Sequence, residues 1–366
     1  VNVDDLLSDL AALVMVESPS LNVEAVTRSA EVLADIMERR LGSAPELIDS
    51  PAGPHVRWSG GPAPCVLILG HHDTVFPMGT LERRPFTVHD GKATGPGVFD
   101  MKAGIVQAIH AVASLDDRSM VELLFSCDEE VGSGSSRQLL EERALACGNV
   151  LVLEASADGG ALKTARKGVG MFEVIVHGRA SHAGLEPEKG INSLIAAAEL
   201  ITQIATFGEP ARETTVTPTV ARAGTAENVV PAEARLLVDV RVTELAEQTR
   251  VEAAMASLHT AVEGARIEVL GGLNRPPMSA VASTTLFPLA VDAAAEAGIH
   301  GIQGVGVGGG SDGNFTAAIG VPTLDGLGAV GGGAHADHEF VVVDTMVPRS
   351  WMLAGLIRRI AASAGV

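Results

Sequence analysis

Three short, mainly apolar runs, at residues 66–69, 121–125 (interrupted by Glu122) and 150–153, are set apart by helix-length segments, and nothing else in the chain narrows its fold as much. The first, Val66-Leu67-Ile68-Leu69, is branched, uncharged and closed by Gly70, which reads as a buried strand. Helical faces run through residues 6–16 and 25–41, and another over 105–115 separates the first run from the second. Strands alternating with helices in this way predict an α/β sheet covered on both faces. Ligands bind such sheets at the carboxyl ends of their strands. A metal-ligating or acidic residue follows each run at that end: His71, Asp128 and Glu154.

A second texture occupies residues 167–275. GMFEVIVHGRASH and ARLLVDVRV alternate apolar and polar side chains, as half-exposed antiparallel strands do, and helical segments cover 191–205 and 245–262. This predicts a smaller two-layer α+β domain inserted into a larger one, whose two parts are residues 1–166 and 276–366. Helices are expected at 286–297 and 345–362, around the glycine-rich GVGVGGGSDGNF. A length of 366 residues suits two cores better than one.

Acids outnumber bases 45 to 26, for a formal charge of −19, and no Lys/Arg block appears. A nucleic-acid partner is therefore not expected. No run of about 18 apolar residues exists to span a membrane. The first twenty residues lack the basic and small-residue pattern of an export signal, so the expected location is the cytoplasm. Cys65, Cys127 and Cys147 are too few and too scattered for a disulfide framework or a thiolate zinc knuckle, and Cys65 and Cys127 read as core residues.

The chemistry gathers in five places. In GHHDTV, strand alternation points His71 and Asp73 the same way and His72 the other. That spacing lets Asp73 take the second ring N–H of His71, as carboxylates do behind metal-bound histidines. GPGVFDMKAG presents Asp100 in a glycine-rich turn, FSCDEEVGS carries Asp128, Glu129 and Glu130, LVLEAS ends in Glu154, and GGGAHADHEFV holds His335 and His338. Histidines with carboxylates and no thiolate suit zinc or another divalent transition ion better than calcium. A pair of ions would need one bridging carboxylate and, beyond the ligands, one acid to move protons.

In this order, GHHDTV, GPGVFDMKAG, CDEEVGS, Glu154, GRASHAG and HADHEFV resemble the M20 family of metallopeptidases, and within it the carboxypeptidase G2-like (glutamate carboxypeptidase) branch. The resemblance implies a zinc-exopeptidase-like catalytic domain, a mixed sheet between helices. It also implies an inserted lid that dimerises, and two zinc ions per subunit, with cobalt or manganese as alternatives. His71 and Glu154 would hold one ion, Glu130 and His335 the other, with Asp100 bridging and Asp73 orienting His71. Glu129 would be the general base, and His182 of ASHAG would steady the oxyanion from a neighbouring subunit. Asn228 of ENVVP and Arg241 of DVRV match positions that bind a free carboxylate, a task suited to guanidinium.

The family's usual Gly-Gly is Ala103-Gly104 here, and His72 is read as no ligand. His55, His89, His110, His177, His259 and His300 read as surface or structural. Residues 309–313, GGSDG, fit the G-x-S-x-G elbow of a serine hydrolase, with Asp325 and His335 as partners. That rival leaves HHD, DEE and Glu154 without a role. Residues 304–309 spell G-x-G-x-x-G without an opening βαβ context, so no dinucleotide is expected. The loop is expected instead to bring the backbone N–H groups of Gly309, Gly310 and Ser311 to the substrate. An intact Glu129 argues against a catalytically silent metal-binding protein. An aminoacylase or deacetylase acting on N-acyl amino acids stays open beside a carboxypeptidase.

Overall fold

The computed structural model describes residues 1–364. They cluster into two compact units. One comprises Val1–Ala165, Ser279–Val307 and the chain from Ser311 on; the other is Arg166–Met278 with Gly308–Gly310.

In the first unit, β1 (Glu46–Ile48), β2 (His55–Ser59), β3 (Val66–His71), β4 (Val121–Ser126) and β5 (Val150–Val152) build a mixed sheet. Its order is β1-β2-β4-β3-β5, closed by the short strand Thr323–Leu324. β3 runs parallel to β4 and β5, whereas β2 is antiparallel to β4. Helices α1 (Val3–Val14), α2 (Val23–Leu41) and α3 (Ala103–Ala113) precede and follow β3, and α4 (Arg137–Cys147) follows β4. Alternation along β3 sorts its side chains between two cores. Val66 and Ile68 join the cluster filled by α1, α2 and α3, while Leu67 and Leu69 pack with Leu140 and Ala144 of α4 and with Phe315. Each such burial is worth about 1.5–3 kcal/mol, which locks the register.

The helices carry their own stop signals. Asn2 and Asn22 cap α1 and α2 by accepting from Asp4 N and Ala25 N, and α2 ends at the left-handed Gly42. Asp9 of α1 accepts from Arg40 Nε at 2.7 Å and pairs with His110 Nε2 at 2.8 Å, fastening α1 to α2 and α3. His110 is thus a buried structural residue. Where the family has Gly-Gly, Ala103 buries its methyl in the core. At Gly104 a Cβ would stand 2.5 Å from the Leu153 carbonyl, so glycine is needed there.

A small sheet went unread in the sequence. The hairpin Thr87–His89/Lys92–Thr94 pairs with Phe340–Val342, which pairs with Gly331–Gly332. It anchors both ends of the loop that carries His335.

The second unit is a four-stranded antiparallel sheet of β6 (Gly168–His177), β7 (Thr215–Ala223), β8 (Glu233–Val242) and β9 (Arg266–Arg275), ordered β7-β8-β6-β9. Helices α5 (Ser193–Ile204) and α6 (Leu245–Ala256) share a core with one face of it. Val174 and Val176 of β6 and Leu236, Val238 and Val240 of β8 supply that face. Helix α6 stops at Ala256, short of the expected 262, yet Leu258 and Val262 still pack against the core from the following loop. Among the described residues no helix is long and apolar enough to cross a membrane.

Candidate metal centre

His71 closes β3, Glu129 and Glu130 form the turn after β4, and Glu154 lies two residues past β5. These are the carboxyl ends of three parallel strands, where an α/β sheet binds its ligands. Asp100 reaches the same point from the turn before α3, across a cis peptide to Met101. His335 arrives from the loop beyond Gly332, with its backbone in the left-handed region at φ 63°.

Asp100 stands between the histidines. Its Oδ1 is 3.3 Å from His71 Nε2 and its Oδ2 is 3.3 Å from His335 Nε2. Glu154 Oε1 lies 3.7 Å from His71 Nε2, and Glu130 Oε2 lies 3.2 Å from His335 Nε2. One donor atom each from His71, Glu129 and Glu154 fits within 4.8 Å, as does one each from His71, Asp100 and Glu130. His71 Nε2, Asp100 Oδ1 and Glu130 Oε1 are buried without a hydrogen bond. Orphaned donors and acceptors of this kind are costly unless something fills the space between them. Five carboxylates (Asp73, Asp100, Glu129, Glu130, Glu154) crowd round two imidazoles, an excess of negative charge that divalent cations would balance. The residues present fit a pair of such ions.

Electrostatics say the same. Burial opposes charge on His71, yet Asp100 and Asp73 outweigh it and raise the ring's pKa well above its ordinary value. Asp100 and Glu130 hold His335 up to about 10. Burial would raise Asp100, but the two histidines keep it below the usual carboxylate range.

Asp73 ties the segments together. It is fully buried, and its carboxylate accepts from Ser20 Oγ at 2.6 Å and from the backbone N–H of Glu129 and Glu130 at 3.3 Å each. The shortest contact of His71 Nδ1 is with the Asp73 carbonyl, 3.0 Å away, and the Asp73 carboxylate is next at 3.4 Å. Both hold the Nδ1–H tautomer and leave Nε2 to face Asp100. His72 turns away, with Nε2 3.1 Å from the Pro54 carbonyl, and burial drops its pKa to about 4. His338 is exposed; it is His335 that faces the acids.

Two supporting residues escaped the sequence reading. Glu339 is buried and accepts from the N–H of Gly97, Phe99 and Asp100, all at 2.9 Å, so it clamps the Asp100 turn. Burial pushes its carboxyl up to about 7 against the pull of those donors. Lys102, also buried, donates to the Leu13 and Val16 carbonyls at 3.1 and 2.9 Å, tying the turn to the end of α1. The only local sign of Glu339 was an acid immediately before the apolar Phe340-Val341-Val342.

The glycine-rich loop departs from expectation at Ser311. Its side chain is buried, its N–H donates to Asn314 Oδ1 at 2.9 Å and its hydroxyl donates to Asp325 Oδ2 at 2.6 Å. Ser311 therefore has neither group to offer a substrate. It also lacks the histidine base that a serine hydrolase needs between Ser and Asp, since His335 faces Asp100 and Glu130. The carbonyls of Gly309 and Gly310 accept from Arg166 Nη1 within the second unit.

That unit also carries His182, Asn228 and Arg241. His182 is exposed, and its Nδ1 accepts from the N–H of Gly184 and Leu185 at 3.1 and 3.2 Å. The ring proton is thereby assigned to Nε2, which makes that edge a donor. Asn228 lies beside it, its carbonyl accepting from Ala183 N. Arg241 sits on the interior strand β8 and forks onto Asp239 at 3.0 and 2.8 Å.

Fold and site together define a metal-dependent hydrolase centred on the carboxyl ends of a mixed sheet. The sequence pattern of Peptidase family M20/M25/M40 matches residues 67–359, and the chain belongs to that family of enzymes, which cleave peptide and other amide bonds. It is 34% identical over 312 residues to carboxypeptidase G2 of Pseudomonas sp. (strain RS-16), covering 81% of this chain and 74% of that protein. It is 28% identical over 297 residues to succinyl-diaminopimelate desuccinylase of Wolinella succinogenes, covering 75% and 79%. A tripeptidase from Staphylococcus aureus shares the fold at a TM-score of 0.81, with 20% identity over 99% of each chain. The YxeP protein of Bacillus subtilis, described as a dinuclear metal binding peptidase, shares it at 0.65, with 19% identity over 100% of this chain and 99% of that one. The family is generally dependent on a pair of metal ions.

Proposed function

We propose that the protein is a dizinc hydrolase that cleaves the amide bond to a residue bearing a free carboxylate, such as a C-terminal glutamate. The observation that carries this reading is Asp100, with one carboxylate oxygen turned to each histidine at 3.3 Å. His71 and Glu154 would hold one ion, His335 and Glu130 the other, with zinc favoured by the donor set and cobalt or manganese as alternatives. A bound pair of such ions polarises a carbonyl and lowers the pKa of water.

The chain's own residues would do the rest. Glu129, beside His71 and Glu154, takes the proton of the attacking water and delivers it to the departing nitrogen. Asp73 holds His71 in the right tautomer, and Glu339 keeps the Asp100 turn in place. His182 donates through Nε2 to the developing oxyanion; by family resemblance it belongs to the second subunit of a homodimer built through the inserted domain. Arg241 grips the substrate carboxylate in exchange with Asp239, helped by Asn228 and the backbone of Gly309 and Gly310.

A second reading, hydrolysis of N-acyl amino acids, is supported by the similarity to a desuccinylase. Both reactions need the same centre and differ in the group lost. Metal-reconstituted enzyme assayed on C-terminal glutamyl dipeptides, folate-like conjugates and N-acetyl or N-succinyl amino acids separates them. A preference for the glutamyl amides supports the first reading. A preference for N-acyl substrates selects the second, and turnover of amides lacking a free carboxylate rejects both.

A further inference from the structure

Outside the centre just described, a second set of donors converges in the first unit. His55 opens β2, and Cys127 and Asp128 follow β4, directly before the two glutamates of the site. All three are buried, at 2%, 0% and 2% exposure. One donor atom from each lies within 4.8 Å of the other two.

The hydrogen bonds leave each side chain half committed. Asp128 Oδ2 accepts from Ser135 N at 2.6 Å and Ser135 Oγ at 2.7 Å, while Asp128 Oδ1 is buried with no partner. Ser135 gives its hydroxyl proton to Asp128, so its 3.4 Å contact with His55 Nε2 requires the proton on the ring. His55 Nδ1 then carries a lone pair, and it too is buried with no partner. The Cys127 thiol donates to the Gly53 carbonyl at 3.2 Å and lies 3.9 Å from Ser50 Oγ. Three buried ligand-type side chains, two of them carrying a buried atom with no partner, thus gather within reach of a single ion.

We propose that His55, Cys127 and Asp128 form a third metal site, separate from the catalytic pair and selective for a zinc-type ion. Its nitrogen, sulfur and oxygen donors suit zinc, with water in the fourth position. Tetrahedral zinc with bonds of about 2.0–2.3 Å keeps its donors roughly 3.3–3.8 Å apart, so the side chains need close by only about an ångström. Binding replaces the Cys127 S–H bond with a sulfur–metal bond and releases the thiol proton to solvent. The turn at residues 50–53 lies over the sulfur through the Gly53 carbonyl and Ser50 Oγ and is exposed at Pro51. The role is structural. The ion would pin β2 to the segment that carries Glu129 and Glu130, without touching the reacting atoms.

The test uses the full-length protein, stripped by chelator and titrated with cobalt(II). The catalytic pair offers only nitrogen and oxygen donors, so a thiolate-to-cobalt charge-transfer band in the near ultraviolet reports the third site alone. The expected result is three equivalents bound, with the band appearing for one of them and a rise in thermal midpoint when zinc fills that equivalent. Cys127→Ser should lose the band and one equivalent while retaining two; Cys65→Ser should keep everything. If Cys127→Ser does not fold, a band kept in both Cys65→Ser and Cys147→Ser assigns the thiolate to Cys127, and a band lost in either overturns the proposal. Saturating cobalt without a thiolate band overturns the proposal, as does a band that survives Cys127→Ser.

Discussion

Filling the centre with zinc should expel protons, and the structure fixes how many. In the cation-free protein His335 is held up to about 10 and His71 well above its ordinary value, so a proton on each ring competes with the metal. A metal needs the Nε2 lone pair of each. Loading both ions therefore releases about two protons, one per ring. The sign follows directly. Protons and metal compete below the raised pKa values, so affinity for the pair climbs with pH, by about 100-fold between pH 6 and 7. Asp100 adds little in that window, since it lies below the usual carboxylate range. Calorimetric zinc titrations at one pH, in two buffers of different ionisation enthalpy, count the protons. Using Cys127→Ser protein removes any contribution from the third site. His335→Asn should bind one ion fewer and release one proton fewer. Identical heats in the two buffers would refute the reasoning, because the rings would then be neutral before the metal arrives.

Glu129→Gln should keep two bound metals and lose at least about 100-fold in kcat; a near-normal rate with metal content confirmed would reject the general-base role. His182→Ala should lower kcat by about 100-fold or more, as when an oxyanion donor is removed, with metal content and thermal midpoint preserved; unchanged turnover counts against it. Glu339→Ala orphans three backbone donors, so urea unfolding should show a loss of about 2–4 kcal/mol. Equal midpoints would mean that water replaces the clamp.

How much was legible depends on how local each signal is. Strands β3 and β5 could be read because a strand buried on both faces tends to a continuous apolar run, and β4 departs from it only at Glu122, buried between Arg57 and Arg143; the residues at the strand ends came with them. The overrun of helix α6 has the same cause in reverse: Leu258 and Val262 are apolar because they pack, though from a loop. The hairpin Thr87–His89/Lys92–Thr94 left no trace, since it puts only Ala93 into the core and its first strand is wholly exposed. Glu339 could not be found, since its partners lie 239 to 242 residues away. The Arg241–Asp239 fork went unread, although residues two apart on a strand share a face. Ser311 was expected among the backbone donors of the glycine-rich loop, and nothing in the loop's composition signals that Asn314 Oδ1 takes its N–H.

The two halves of the catalytic centre differ in their access to water. The His71 side chain is 1% exposed and the His335 side chain 52%. Ions should therefore leave and enter in sequence, the outer position emptying first. Partial dialysis would yield a singly loaded enzyme, and refilling it with another ion would give a defined heterometallic species.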